Sequence, residues 1–129
     1  MIFVDSNIII FSEMTEYPEH KIAVEKLSHT SQSGIFINDI IISEVFHKIF
    51  KLIGHDTAVK RVKNILSSKS FIYVPIEKET FEKAVELTKY VRINDAIIAQ
   101  QVIDLKSSLL TDNVKDFRKI KGLKIIKLR

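Results

Sequence analysis

The sequence predicts an α/β domain, a three-layer α/β/α sandwich around a mostly parallel central sheet. Short apolar runs recur at residues 2–4, 35–37, 71–74, 108–110 and 123–128. Segments with helical hydrophobic spacing separate most of these runs. Buried parallel strands read as brief apolar runs joined by crossover helices, and this chain has that pattern. With only three glycines and two prolines, its loops are short. At 129 residues and 46% hydrophobic, it is the size of one domain with a real core, so residues 1–129 read as a single unit.

Taken in order, Ile2 to Val4 form the first buried strand, and a helix follows from Ser6 to about Met14. Pro18 suits the first turn of a second helix, whose stripe is Ile22, Ala23, Lys26 and Leu27. Gly34 ends it, and Ile35 to Ile37 are the next strand. Asp39 is placed to cap a helix running to about Leu52, with Ile42, Val45, Phe46, Ile49 and Ile53 at helical spacing. A helix over Asp56 to Leu66 precedes a strand from Phe71 to Val74, which Pro75 stops. Residues 77–90 form a helix with Phe81, Ala84, Val85 and Thr88 on one side. Asn94 then caps a helix through Leu105. Strands at 108–110 and 123–128, with a short helix between them, complete the chain.

Composition excludes several classes. There is no cysteine, so disulfides, thiolate metal sites and a cysteine nucleophile are all absent. No apolar stretch reaches the roughly 20 residues a membrane span needs. The N-terminus shows no basic region or small-residue cleavage site, so a cytoplasmic location is expected. Lys and Arg total 20 against 16 acids, and seven basic residues but one acid lie between Lys115 and Arg129. Such a strip suits a polyanion or serves as a solubilising surface.

In parallel sheets, ligands bind beyond the carboxyl ends of the strands, and acids fall there. Asp5 follows the first strand directly, and Asp112 follows Leu109, Leu110 and Thr111. Asp95 precedes Ile98, Ala99 and Val102, so it lies along a core-facing stripe. Glu44 interrupts an apolar helical segment. Singly, each acid has a plain structural explanation: a helix cap for Asp5, a favourable helix-dipole position for Asp95, a turn for Asp112, and solvent at the stripe edge for Glu44. Together they need a cationic partner, because unpaired buried charge is expensive. No Arg or Lys is embedded in the same runs. Oxygen ligands without a histidine cluster suit Mg2+ or Mn2+ rather than zinc.

These residues fall in motifs that resemble the PIN-domain nucleases, and more narrowly the VapC-type toxin ribonucleases. VDSNIII resembles the opening motif of that family. IIISEVFHKI resembles the helix carrying a single glutamate, INDAIIAQ the D-A-hydrophobic-I-A motif, and LLTDNVKDF the closing strand and turn. The resemblance covers nearly the whole chain. It implies that Asp5, Glu44 and Asp95 are catalytic acids, with a fourth at either Asp112 or Asp116. Asp116 is slightly preferred because it matches members that carry Asn where this chain has Asn113. Asp5, Asp95 and Asp116 are the implied metal ligands. Asn7, Thr111 and Asn113 are the implied supporting polar residues.

The resemblance further implies Mg2+- or Mn2+-dependent endonuclease activity on RNA, with water as nucleophile and Glu44 as its base or as ligand to a second ion. It implies a toxin role, a cognate antitoxin protein and a homodimer. Arg92, Lys115, Arg118 and Lys119 lie near the acidic motifs and could meet flanking phosphates or simply be solvated charges. Rival classes fit less well. A phospho-accepting receiver expects paired acids after the first strand, and an aspartate-nucleophile phosphotransferase expects D-x-D, whereas the chain reads D-S-N. Glycine loops for nucleotides are absent. A catalytically silent module of the same fold, binding RNA or a protein, is the alternative.

Overall fold

A computed structural model describes residues 1–129. Five strands alternate with helices: β1 (Ile2–Val4), α1 (Ser6–Glu13), α2 (His20–Thr30), β2 (Ile35–Ile37), α3 (Asp39–Ile53), α4 (His55–Ser67), β3 (Phe71–Tyr73), α5 (Lys78–Leu87), α6 (Ile93–Asp104), β4 (Ser108–Thr111), α7 (Val114–Phe117) and β5 (Lys124–Lys127). All five strands run parallel in the order β3-β2-β1-β4-β5. The expected sandwich is therefore present, with a wholly parallel sheet.

The order explains the layering. From β1 the chain steps outward through β2 to β3, then returns across the sheet to β4 and β5. Right-handed crossovers put the helices of the outward and return journeys on opposite faces. The central strands are accordingly apolar on both sides, with Phe3, Val4, Ile35, Ile37, Leu109 and Leu110 all buried. Ile8, Ile9, Ile41, Val45, Ile49, Ile98 and Val102 pack around them from three helices.

Local chemistry departs from the sequence expectations in four places. The cap of α3 is Asn38, whose side chain accepts from the Ile41 N–H at 2.9 Å, and Asp39 stands inside the first turn. A neutral amide serves better there because its second group is free to bond elsewhere in the core. Asn94 lies inside α6, where Arg92 holds the cap position without a side-chain bond. Pro18 sits in a turn ahead of α2 rather than in its first turn. On α5 the buried residues are Thr80 and Ala84, while Phe81 and Val85 are 46% and 49% exposed. Small side chains there let α5 approach α6 closely.

Gly34 has φ of +88°, and a Cβ there would lie 2.6 Å from the Ile72 Cδ1. Both its conformation and its space demand glycine at the entrance to β2. No helix is long and apolar enough to cross a membrane.

Candidate active site

The strand order reverses its direction of travel between β1 and β4, and a crevice forms at the carboxyl ends of such a pair. Asp5 is the first residue beyond β1. Its N–H donates to the Leu110 carbonyl at 2.9 Å, which extends the ladder by one step and fixes the carboxylate at the junction. The side chain is 3% exposed. Its Oδ1 accepts from the Ser6 N–H at 2.8 Å, and its Oδ2 accepts from the Thr111 hydroxyl at 2.8 Å. Asp5 is thus the cap of α1 as well as a strand-end acid. Thr111, fully buried, accepts in turn from the Asn113 N–H at 2.9 Å.

The other acids arrive on three helices. Glu44, half-buried on α3, accepts from the Ser6 hydroxyl at 3.1 Å, and Asn94 lines the same cleft. Asp95 stands in the first turn of α6, and Asp116 stands in α7.

Burial raises the Asp5 carboxyl from 3.8 to about 6; the charge on Glu44 adds to this, and the Thr111 and Ser6 hydrogen bonds oppose it. Burial likewise raises Asp95 from 3.8 to about 6; Asp5 and Asp116 add to this, and Arg92 opposes it. Glu44 is raised by burial first and by the Asp95 charge, against the bonds from Ser6 and Asn94. Asp5, Glu44, Asp95 and Asp116 therefore form one electrostatically connected set. The first three have no ion-pair partner, whereas Asp116 meets the Lys119 ammonium at 3.7 Å. No three histidine or acidic side chains are grouped closely enough to hold a metal ion between them.

Asp112 lies outside this set. It accepts from Arg129 Nε at 3.2 Å and Nη2 at 3.1 Å, and Arg129 also bonds Glu19 at 3.2 Å.

Two open clefts flank the start of α6. One, of about 620 Å³, is lined by residues that include Lys89, Tyr90, Arg92, Asp95, Asp116 and Lys119. The other, of about 670 Å³, is lined by residues that include Ser6, Asn7, Glu44, His47, Lys48, Arg92 and Asn94. Arg92 lines both. Lys115 and Arg118 are exposed and line neither. Asn113 enters the network through its backbone rather than its amide.

Sequence reasoning missed Ser6, Asn94, His47 and Lys48. Ser6 and Asn94 each adjoin an acid in sequence, but nothing local shows that Ser6 reaches Glu44 or that Asn94 lines its cleft. His47 and Lys48 follow Glu44 by three and four positions, so their shared helix face was readable.

A wholly parallel sheet between helical layers, with buried Asp5 at its switch point and Glu44 and Asp95 near enough to interact with it through their charge, defines a domain with an acidic strand-end site. The model of the PIN domain matches residues 2–123, and the chain belongs to that family. It is 29% identical over 133 residues to Ribonuclease VapC1 of Rickettsia felis, covering 97% of this chain and 94% of that protein.

Solved structures share the fold. The toxin–antitoxin complex from Klebsiella pneumoniae has a TM-score of 0.72 and 25% identity, over 100% of this chain and 98% of that one. VapC20 of Mycobacterium tuberculosis, described as a toxin cleaving the sarcin–ricin loop, has a TM-score of 0.79 and 17% identity, over 96% and 98%. VapBC2 of Rickettsia felis, bound to a promoter DNA fragment, has a TM-score of 0.76 and 20% identity, over 98% of each chain.

Proposed function

We propose that this PIN domain is a metal-dependent endoribonuclease and the toxin of a toxin–antitoxin pair, with Asp5, Glu44, Asp95 and Asp116 as its catalytic acids. One observation carries the reading. Asp5 is buried at the switch point without a cation, within a set of carboxylates that raise one another's affinity for protons. Uncompensated charge of this kind lowers stability and is kept where a ligand neutralises it.

The donor set fits a hard divalent cation. Mg2+ keeps most of its waters and needs only one or two carboxylates, so an open arrangement suits it, and Mn2+ takes the same oxygen ligands. Asp5, Asp95 and Asp116 would hold the ion, one or two of them directly and the rest through its waters. When bound, it would supply positive charge to a phosphodiester oxygen and to an attacking water.

The chain's own groups do the rest. Glu44, raised above its ordinary range, takes a proton from the attacking water. Ser6 holds its carboxylate in place. Thr111 holds Asp5. Arg92 and Lys119 neutralise phosphate charge at the mouth. In-line attack leaves a 5′-phosphate and a 3′-hydroxyl, and no covalent intermediate on the protein is needed.

The names of the Rickettsia ribonuclease and of the sarcin–ricin loop toxin support RNA as the substrate class. The toxin–antitoxin complexes support an antitoxin partner. Two uncovered apolar faces support protein partners, an antitoxin and a second copy of this chain. Phe50 and Ile53 on one side of α3 are exposed, as are Phe81 and Val85 on one side of α5.

The test uses purified protein, Mn2+ and structured RNA. Cleavage that disappears with Asp5→Asn, and with EDTA, supports the reading. Undiminished cleavage by the variant would point to a contaminant, and a metal-bound protein that cuts nothing would favour the silent module.

A further inference from the structure

We infer that the cleft beside Glu44 is a ribose–phosphate subsite, which seats the nucleotide adjoining the scissile bond and reads its 2′-hydroxyl. The inference rests on the endoribonuclease reading and goes beyond it in naming where the strand lies and what is read.

The substrate of an endonuclease runs past the reacting phosphate in both directions, so the site needs a second arm. Arg92 lines both clefts and joins the Asp95–Asp116 arm to this one. One wall comes from α3, where Lys48 lies one turn beyond Glu44 on the same face. The opposite wall is the start of α6, with Arg92 and Asn94, and Asn7 of α1 completes the lining.

The chemistry of these residues selects the ligand. Lys48 is exposed, and neither it nor Arg92 is in an ion pair, so two cations are available against the one carboxylate. Together they suit a flanking phosphate. Its one apolar residue is Ile10 and no phenyl or indole ring lines it, so the exposed His47 imidazole is the one ring a base meets, and stacking on it is sequence-tolerant. The Asn7 amide, exposed at the rim, offers both a donor and an acceptor. A 2′-hydroxyl is also both, and it is the group that separates RNA from DNA. The cleft therefore grips backbone and sugar with little preference among bases.

The test is fluorescence anisotropy with a labelled single-stranded oligoribonucleotide and its DNA counterpart, over a series of salt concentrations with Mg2+. The Asp5→Asn background silences the proposed cleavage. Lys48→Ala should weaken RNA binding about threefold to tenfold and lower the slope of log affinity against log salt by about 0.7, one phosphate contact on a single strand. Lys48→Arg should restore both. Asn7→Ala should weaken RNA binding but leave DNA binding unchanged. Both side chains are exposed, so melting curves should be unaltered.

Unchanged affinity and slope in Lys48→Ala would overturn the subsite. Equal losses for RNA and DNA in Asn7→Ala would overturn its reading of the 2′-hydroxyl. The parent protein is assayed for cleavage in parallel. If it fails to cut while the Lys48 effects hold, the subsite stands as an RNA-binding site and the catalytic reading falls.

Discussion

Gln101 on α6 accepts a hydrogen bond at 2.7 Å from the side chain of Asn38, the cap of α3, and both residues are buried. The Gln101 amide also donates to the Pro75 carbonyl at 3.0 Å and to the Val74 carbonyl at 3.3 Å. The helix carrying Glu44, the helix carrying Asp95 and the exit of β3 are thereby held as one unit. Gln101→Met keeps the volume but leaves the Asn38 amide and the Pro75 carbonyl unpaired in the core. A loss of about 1–3 kcal/mol is expected, read as a fall in melting temperature of roughly 4–11 °C. Because two acids lose their mutual placement, kcat should fall well below the parent value at a temperature where the variant is folded, with little change in KM. An unchanged kcat under those conditions would confine Gln101 to stability.

The fourth acid can be separated from its neighbour in the same loop. Asp116 acts on Asp95 through its charge and shares a cleft with it. Asp112 is engaged by Arg129. Asp116→Asn should reduce cleavage by about a hundredfold or more, on the scale of losing one stabilising group in a reacting site. Asp112→Asn should leave cleavage within a few-fold and the melting temperature nearly unchanged, because its pair with Arg129 is solvent-exposed. The opposite ranking would move the fourth position to Asp112.

The fold was legible because its strands are short, apolar and separated by helices, and that pattern has few other solutions. Asp5, Glu44 and Asp95 were legible because each carboxylate stands among apolar neighbours. The choice between Asp112 and Asp116 was not, since they stand four residues apart and the Arg129 that engages Asp112 lies 17 residues further on. The caps at Asn38 and Arg92 were not legible either. A polar residue before a helix can cap it from two adjacent positions, and the choice was made by Gln101, a partner 63 residues distant from Asn38.

Thr111 carries two bonds that a methyl group cannot make. Its hydroxyl donates to Asp5 and accepts from the Asn113 N–H. Thr111→Val preserves shape yet leaves both partners short, at about 1–3 kcal/mol. Since the Thr111 bond holds the Asp5 carboxyl down, its loss should push that group further up. The acidic limb of the pH–rate profile should then move to higher pH, and Thr111→Ser should bring it back. A Val variant with a lower melting point but an unmoved profile would assign Thr111 to packing alone.

The raised carboxyls also fix how stability responds to pH when no metal is present. Asp5 and Asp95 hold a proton in the folded chain up to about 6, against 3.8 for the ordinary group. Between those values the native state binds more protons than the unfolded one, so stability falls as pH rises and levels off above about 6. The Asp5 share is on the order of 2–3 kcal/mol, and the partly exposed Asp95 adds less because solvent screens it. Urea denaturation in EDTA, repeated from pH 4 to pH 8, should show that decline, and Asp5→Asn should flatten it. Adding Mg2+ at pH 7.5 should restore stability by about 2.7 kcal/mol at a hundred times its dissociation constant, but not in Asp5→Asn. An equal decline in parent and variant would remove Asp5 as its source. A parent indifferent to both Mg2+ and Mn2+ would remove the metal from this pocket.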